Sequence, residues 1–171
     1  MASLSSLSSL SNQSSVSNMS SAISWEEYFL RIARTSALRS KDPRTKVGCC
    51  IVNENKIIGV GYNGFPNGIH DDCSEVSWER PHKYLYVVHA EMNAILNTVS
   101  FDKLKGATLY CTLFPCSQCC KMMIQCGIKN VIYDNLPTMS DDLEASRKMM
   151  RLVGITTRKS GSDDVYEDSI V

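Results

Sequence analysis

Apolar positions along the chain follow two rhythms, one helical and one extended. Trp25, Tyr28, Phe29, Ile32, Ala33 and Leu38 recur at helical spacing. Ser24 precedes them with Glu27 three residues later, a capping-box pattern. Pro43 ends this helix, because proline disfavours helix in the residue ahead of it. Residues 46–52 then read as a buried strand and 57–62 as a second. Asn53-Glu54-Asn55-Lys56 is a turn by composition, so the pair makes a hairpin. Residues 61–68 form a glycine- and asparagine-rich loop, and 69–83 are polar and irregular. An apolar, strand-like run from Tyr84 to Val88 gives way to a helix from His89 to about Thr98. A strand over 107–113, a helix over 115–125 stopped by Gly127, and a strand over 130–133 follow. A helix over 141–152 closed by Gly154 and a short strand over 155–158 complete the pattern. Alternation of strand and helix in the second half implies parallel neighbours. The expected fold is α/β: a three-layer α/β/α sandwich around a five-stranded mixed sheet.

The ends differ in composition. Residues 1–22 are dominated by serine, and no charge occurs before Glu26, which predicts a disordered tail. The stretch lacks the arginines of a transit peptide and the apolar core of a signal peptide. The domain is expected over 23–159, with a polar tail over 160–171.

With 171 residues the chain is long enough for one domain with a substantial core. Lys plus Arg and Asp plus Glu both total 18, so the formal net charge is zero, which argues against a nucleic-acid polymer as partner. No run approaches the length of a membrane span. Eight cysteines without a secretory leader point to a reducing, cytoplasmic setting. Cys49, Cys50, Cys111 and Cys126 lie in apolar runs, where cysteine behaves as a small hydrophobe.

The chemistry concentrates in two stretches, Val88-His89-Ala90-Glu91-Met92-Asn93-Ala94 and Phe114-Pro115-Cys116-Ser117-Gln118-Cys119. Together they read H-x-E and P-C-x-x-C, the signature of zinc-dependent nucleobase deaminases. Zinc favours nitrogen and sulfur donors, and a catalytic site uses three protein ligands. His89, Cys116 and Cys119 supply them. Cys116 and Cys119 share one helix face, and Pro115 suits a helix start. Glu91, two residues beyond His89, is placed to carry protons instead of binding metal. A closed structural clip would need a fourth ligand. Cys120 adjoins Cys119, but neighbouring helical side chains diverge by about 100 degrees. His70, Cys73 and His82 are a looser set for a second zinc, with solvated loop residues the better reading.

Four stretches resemble the deoxycytidylate (dCMP) deaminase branch of the cytidine deaminase superfamily. They are Arg39-Ser40-Lys41-Asp42-Pro43 with Val47-Gly48; Gly61 through Gly68; Val88 through Ala94; and Thr112 through Cys119 with Gly127-Ile128-Lys129. The resemblance spans about residues 24–158 and implies a cytidine deaminase-like fold. It implies hydrolysis of dCMP to dUMP and ammonia, which supplies thymidylate synthesis. It further implies a homo-oligomer, often a hexamer, activated by dCTP with Mg2+ and inhibited by dTTP. The regulatory site of such enzymes involves the loop matched here by Gly61 to Gly68. That makes Tyr62, Asn63, Gly64, Asn67, Gly68 and Lys41 the effector candidates. For the substrate, Phe114 is the candidate wall for the pyrimidine ring, and Asn63 and the Ala90 N–H are candidates for its polar edge. Arg39, Lys41, Arg44 and Lys46 are the basic residues available for the phosphate, against the alternative of a solvated face.

Overall fold

The computed structural model describes residues 22–162 and the backbone of 165–166. The serine-rich tail up to residue 21 and most of the tail beyond 162 lie outside the described residues. Four helices and six strands follow in order: α1 (Trp25–Ala37), β1 (Gly48–Asn53), β2 (Lys56–Tyr62), α2 (Ala90–Leu96), β3 (Thr108–Leu113), α3 (Ser117–Cys126), β4 (Asn130–Asn135), α4 (Asp141–Leu152), β5 (Thr156–Lys159) and β6 (Val165–Tyr166). The sheet order is β2-β1-β3-β4-β5-β6. β1 is antiparallel to β2 and β3, β3, β4 and β5 run parallel, and β6 returns antiparallel to β5.

The three layers follow from alternation along the strands. Cys50 and Val52 of β1 and Tyr110 of β3 face Phe29, Leu30 and Ala33 of α1. Cys49, Ile51, Leu109, Cys111, Val131 and Tyr133 face the opposite way, into the larger core shared with α2, α3 and α4. Because both faces are covered, β1 reads as a continuous apolar run and not as an alternating one. Glu54 and Asn55 close the β1–β2 hairpin with φ of 49° and 57°, the left-handed conformation that two-residue hairpin turns need.

Local chemistry sets most boundaries. Ser24 caps α1 by accepting from the Glu27 N–H at 3.2 Å, as its pattern predicts. Ser140 does the same for α4 through Leu143. Gly127 ends α3 with φ of 77°, a left-handed cap that a side chain would strain.

Two sequence expectations are corrected. The run 84–88 is not a strand: His82–Leu85 is a 3-10 turn, and only Val88 pairs, in an isolated bridge with Gly64. Tyr84, Leu85 and Tyr86 are exposed, so the run has no buried sheet face to hold it extended. Pro115 lies outside α3, whose first residue is Ser117, because Cys116 takes the N-cap position with extended backbone. The five-stranded mixed sheet that was expected is present as β1–β5, and Val165–Tyr166 adds a two-residue strand, β6, at its edge.

The glycines of β2 bring α2 onto the sheet. A Cβ on Gly61 would stand 2.3 Å from both the Ala90 carbonyl oxygen and the Ala94 nitrogen. Its absence lets the helix that carries Glu91 lie directly on β2.

Candidate metal and catalytic site

α2 and α3 begin side by side, and each starts on a candidate metal-ligand residue. His89 is the N-cap of α2 and Cys116 the N-cap of α3; both are extended, and neither side chain makes a capping hydrogen bond. Their polar atoms turn toward each other instead. Cys116 Sγ lies 3.3 Å and Cys119 Sγ 3.5 Å from His89 Nδ1. The three donor atoms fall within 4.8 Å of one another and form the one such group among the described residues. A tetrahedral zinc with ordinary bond lengths sets nitrogen–sulfur edges of about 3.6 Å, so the donor set and spacing fit Zn2+ with Nδ1 as the histidine ligand. His70, Cys73 and His82 are not gathered into a comparable group. Cys120 is buried and points away, with its thiol 3.5 Å from the Ser146 carbonyl.

Electrostatics in this corner are those of a thiolate site. The hydrogen bond from the Cys119 thiol, opposed by burial and reinforced by His89, holds Cys116 down at about 4. The same pairing, with burial, drives Cys119 upward. Cys116 lifts His89 above its ordinary value. Glu91, one residue into α2, is 4% exposed, and burial pushes its carboxyl up. Such a group holds a proton more readily than a solvated carboxyl, as a proton carrier requires.

These residues lie on a cleft of about 920 Å³. Its lining brings together His89, Ala90, Glu91, Phe114, Cys116, Cys119 and Asn63. Phe114 stands edge-on to Tyr133 with ring centroids 4.9 Å apart. Ala90 is the first residue of α2, where a backbone N–H has no partner within its own helix. The side chain of Asn63 is largely committed: its amide donates to the Thr45 carbonyl at 2.9 Å and to Asp42 at 3.3 Å, and its oxygen accepts from the Val47 N–H at 2.8 Å. One acceptor lone pair is left for a ligand.

The basic residues of the cleft are not those the sequence suggested. Arg39 and Lys41 line a separate pocket of about 160 Å³, Arg44 pairs with Glu79 at 2.8 Å, and Lys46 is exposed outside the cleft lining. Arg80 and Lys83 take their place. Lys83 is neutralised by a buried ion pair with Asp42. Arg80 bonds the Thr45 hydroxyl at 3.0 Å and lies 5.8 Å from the Tyr84 ring centre. Neither basic residue carries a motif, since the contact to the 42–45 segment is made only by the fold.

The smaller pocket gathers every effector candidate: Tyr62, Asn63, Gly64, Asn67, Gly68 and Lys41, together with Arg39 and Asp71. Lys41 pairs with Asp71 there, and Arg39 stands over the Tyr62 ring. Asn63 lines both pockets.

Known proteins are similar to this chain in sequence and fold. The family model for the cytidine and deoxycytidylate deaminase zinc-binding region matches residues 23–135, and the chain belongs to that family of deaminases. It is 49% identical over 145 residues to deoxycytidylate deaminase of Homo sapiens, covering 80% of each chain. A probable deoxycytidylate deaminase of Caenorhabditis elegans is 50% identical over 126 residues, 71% of this chain and 62% of that one. Among solved structures, the dCMP deaminase of cyanophage S-TIM5 superposes with a TM-score of 0.62 at 29% identity, covering 78% of this chain and 95% of that one. The cyanophage enzyme has also been solved with dCMP and dUMP. The protein is thus an enzyme of the deaminase class with the expected cytidine deaminase-like fold.

Proposed function

We propose that this protein hydrolyses dCMP to dUMP and ammonia, supplying dUMP for thymidylate synthesis. The observation that carries the reading is the buried Glu91 carboxyl beside the His89–Cys116–Cys119 donor set, at the base of a nucleotide-sized cleft. Zinc held by those three residues would supply Lewis acidity that lowers the pKa of water toward neutrality. Glu91 takes the proton from the attacking water and delivers it to the ring nitrogen; it then takes the remaining proton of the added hydroxyl as the carbonyl forms and passes it to the amine, which leaves as ammonia. Phe114 forms the flat apolar wall, and the Ala90 N–H with the remaining Asn63 acceptor meets the polar edge of the pyrimidine. Arg80 meets the phosphate, because it is the basic residue of the cleft lining that no carboxylate neutralises among the described residues.

Regulation by dCTP with Mg2+ and by dTTP belongs to the same proposal. Support comes from the smaller pocket, which combines two cations, one carboxylate and the Gly61–Gly68 loop. A homo-oligomer, with a hexamer favoured, accords with the exposed apolar side chains Leu96, Val99 and Phe101. A reducing, cytoplasmic setting accords with eight free cysteines. No helix among the described residues is long and apolar enough to cross a membrane.

The test is ammonia release from dCMP and from deoxycytidine side by side, each with and without dCTP and Mg2+. Turnover of dCMP alone supports the substrate assignment, and stimulation by dCTP supports the regulatory pocket. Equal turnover of deoxycytidine overturns the phosphate specificity.

A further inference from the structure

Two polar side chains of α4, Asp142 and Ser146, stand one helical turn apart and both reach the turn that carries Cys116. The Asp142 carboxylate accepts from the Ser117 N–H at 3.2 and 3.3 Å and from the Ser117 hydroxyl at 2.5 Å. Ser146, fully buried, donates its hydroxyl to the Pro115 carbonyl at 2.8 Å. The residues immediately before and after the metal ligand are therefore each held from the same neighbouring helix. Cys120 adds a third tie through its thiol to the Ser146 carbonyl.

The arrangement answers a local conflict. An N-cap side chain normally accepts from the N–H groups of the first helical turn. Cys116 occupies the N-cap of α3 with its sulfur turned to His89, and the Ser117 N–H is left to another acceptor. The carboxylate of Asp142 takes over a first-turn N–H, where a negative charge also suits the helix dipole. Cys116 is thereby free to serve as a ligand without leaving the start of α3 uncapped.

We infer that Asp142 and Ser146 are positioning residues for the metal centre, fixing the Cys116 sulfur by bracketing its backbone. The inference rests on the zinc reading of His89, Cys116 and Cys119. Groups that orient metal ligands from outside the coordination shell are commonly worth about 10- to 100-fold in metal affinity.

The experiment is zinc competition against a chromophoric chelator on the purified full chain, comparing wild type with Asp142→Ala, Asp142→Asn and Ser146→Ala. Thermal unfolding is recorded for each protein with and without zinc. Asp142→Ala and Ser146→Ala are expected to lose about tenfold or more in zinc affinity. Asp142→Asn keeps an oxygen for Ser117 and is expected to stay within a few-fold of wild type. The ligand-field bands of the cobalt-loaded protein should shift in the two alanine variants and hold in Asp142→Asn. Ser146→Ala removes a single oxygen and carries the test alone if Asp142→Ala does not fold. Alanine variants that bind zinc like wild type, and merely melt earlier with and without metal, would reduce the two residues to helix packing and overturn the inference. A wild-type protein that takes up no zinc would overturn the metal reading itself, and the inference with it.

Discussion

Lys83 and Asp42 form an ion pair sealed beneath the cleft, with side chains 6% and 0% exposed. Asp42 is saturated around that contact: its carboxylate also accepts from the N–H groups of Arg44 and Thr45 at 2.9 and 3.0 Å and from the Asn63 amide. The Asn63 backbone carbonyl in turn accepts from the Ser40 hydroxyl at 2.8 Å. This network joins the segment after α1, the loop after β2 and the 3-10 turn before His89, three pieces of chain that form one wall of the cleft.

Removing one charge of the pair leaves the other buried and uncompensated. Lys83→Met is expected to lose about 3–5 kcal/mol of stability in urea unfolding. Lys83→Met/Asp42→Asn should recover part of that loss, because neither site then carries an unpaired charge. A double variant no more stable than Lys83→Met would show that the charge contact is not what the network depends on.

The same carboxylate makes stability depend on acid. Burial pushes Asp42 up, but the Lys83 contact and the Thr45 and Arg44 N–H groups outweigh it and hold the carboxyl below its ordinary 3.8. The unfolded chain therefore takes up this proton at higher pH than the folded one. The contribution of Asp42 is complete above the unfolded value and falls away as pH drops through the lower folded value. Urea midpoints followed from neutral pH down through the carboxylate range should fall more steeply for wild type than for Asp42→Asn.

Glu91→Gln keeps the shape of the side chain and removes the proposed proton carrier. Turnover is expected to drop by roughly 10²–10⁴ while zinc content and melting temperature hold. Wild-type rates in the Glu91→Gln enzyme would assign the proton transfer elsewhere.

Gly61→Ala tests the contact that seats α2. The new methyl would meet backbone at 2.3 Å, which no side-chain rotation relieves. A loss of about 1–3 kcal/mol or more is expected, with activity reduced because α2 carries both Ala90 and Glu91. Unchanged stability would mean that α2 can slide without cost.

Arg80→Ala should raise KM for dCMP by about tenfold, the scale of one lost charge-assisted hydrogen bond, and leave kcat nearly unchanged. Residual turnover of deoxycytidine should not move. A fall in kcat with KM unchanged would remove Arg80 from the phosphate.

The candidate metal and proton-transfer residues were legible in the sequence because their chemistry is local. His89 and Glu91 are two apart, Cys116 and Cys119 three apart, and each motif sits at the start of a helix. The cap of α1 at Ser24 and the stops at Gly127 and Gly154 were equally local, since each depends on one side chain or one φ angle. The layered α/β order followed from periodicity, which burial on one or both faces imposes on the sequence itself.

What the sequence could not decide was which distant groups would meet. Arg39, Lys41, Arg44 and Lys46 are near the motif residues in number, yet the turn after α1 directs them to the smaller pocket, to Glu79 or to solvent. Arg80 and Lys83 reach the cleft because the 3-10 turn folds back over Thr45 and Asp42, contacts that span 35 and 41 residues of chain. The 84–88 run has the residues of a strand, but Tyr84, Leu85 and Tyr86 are exposed, so no buried sheet face holds it extended. Asp142 and Ser146 carry only a helical spacing in sequence; packing of α4 against α3 is what turns that spacing into two ties around Cys116. Local bonding and periodicity wrote the ligands and the layers into the chain, whereas the second set of contacts arose from long-range packing that no short stretch encodes.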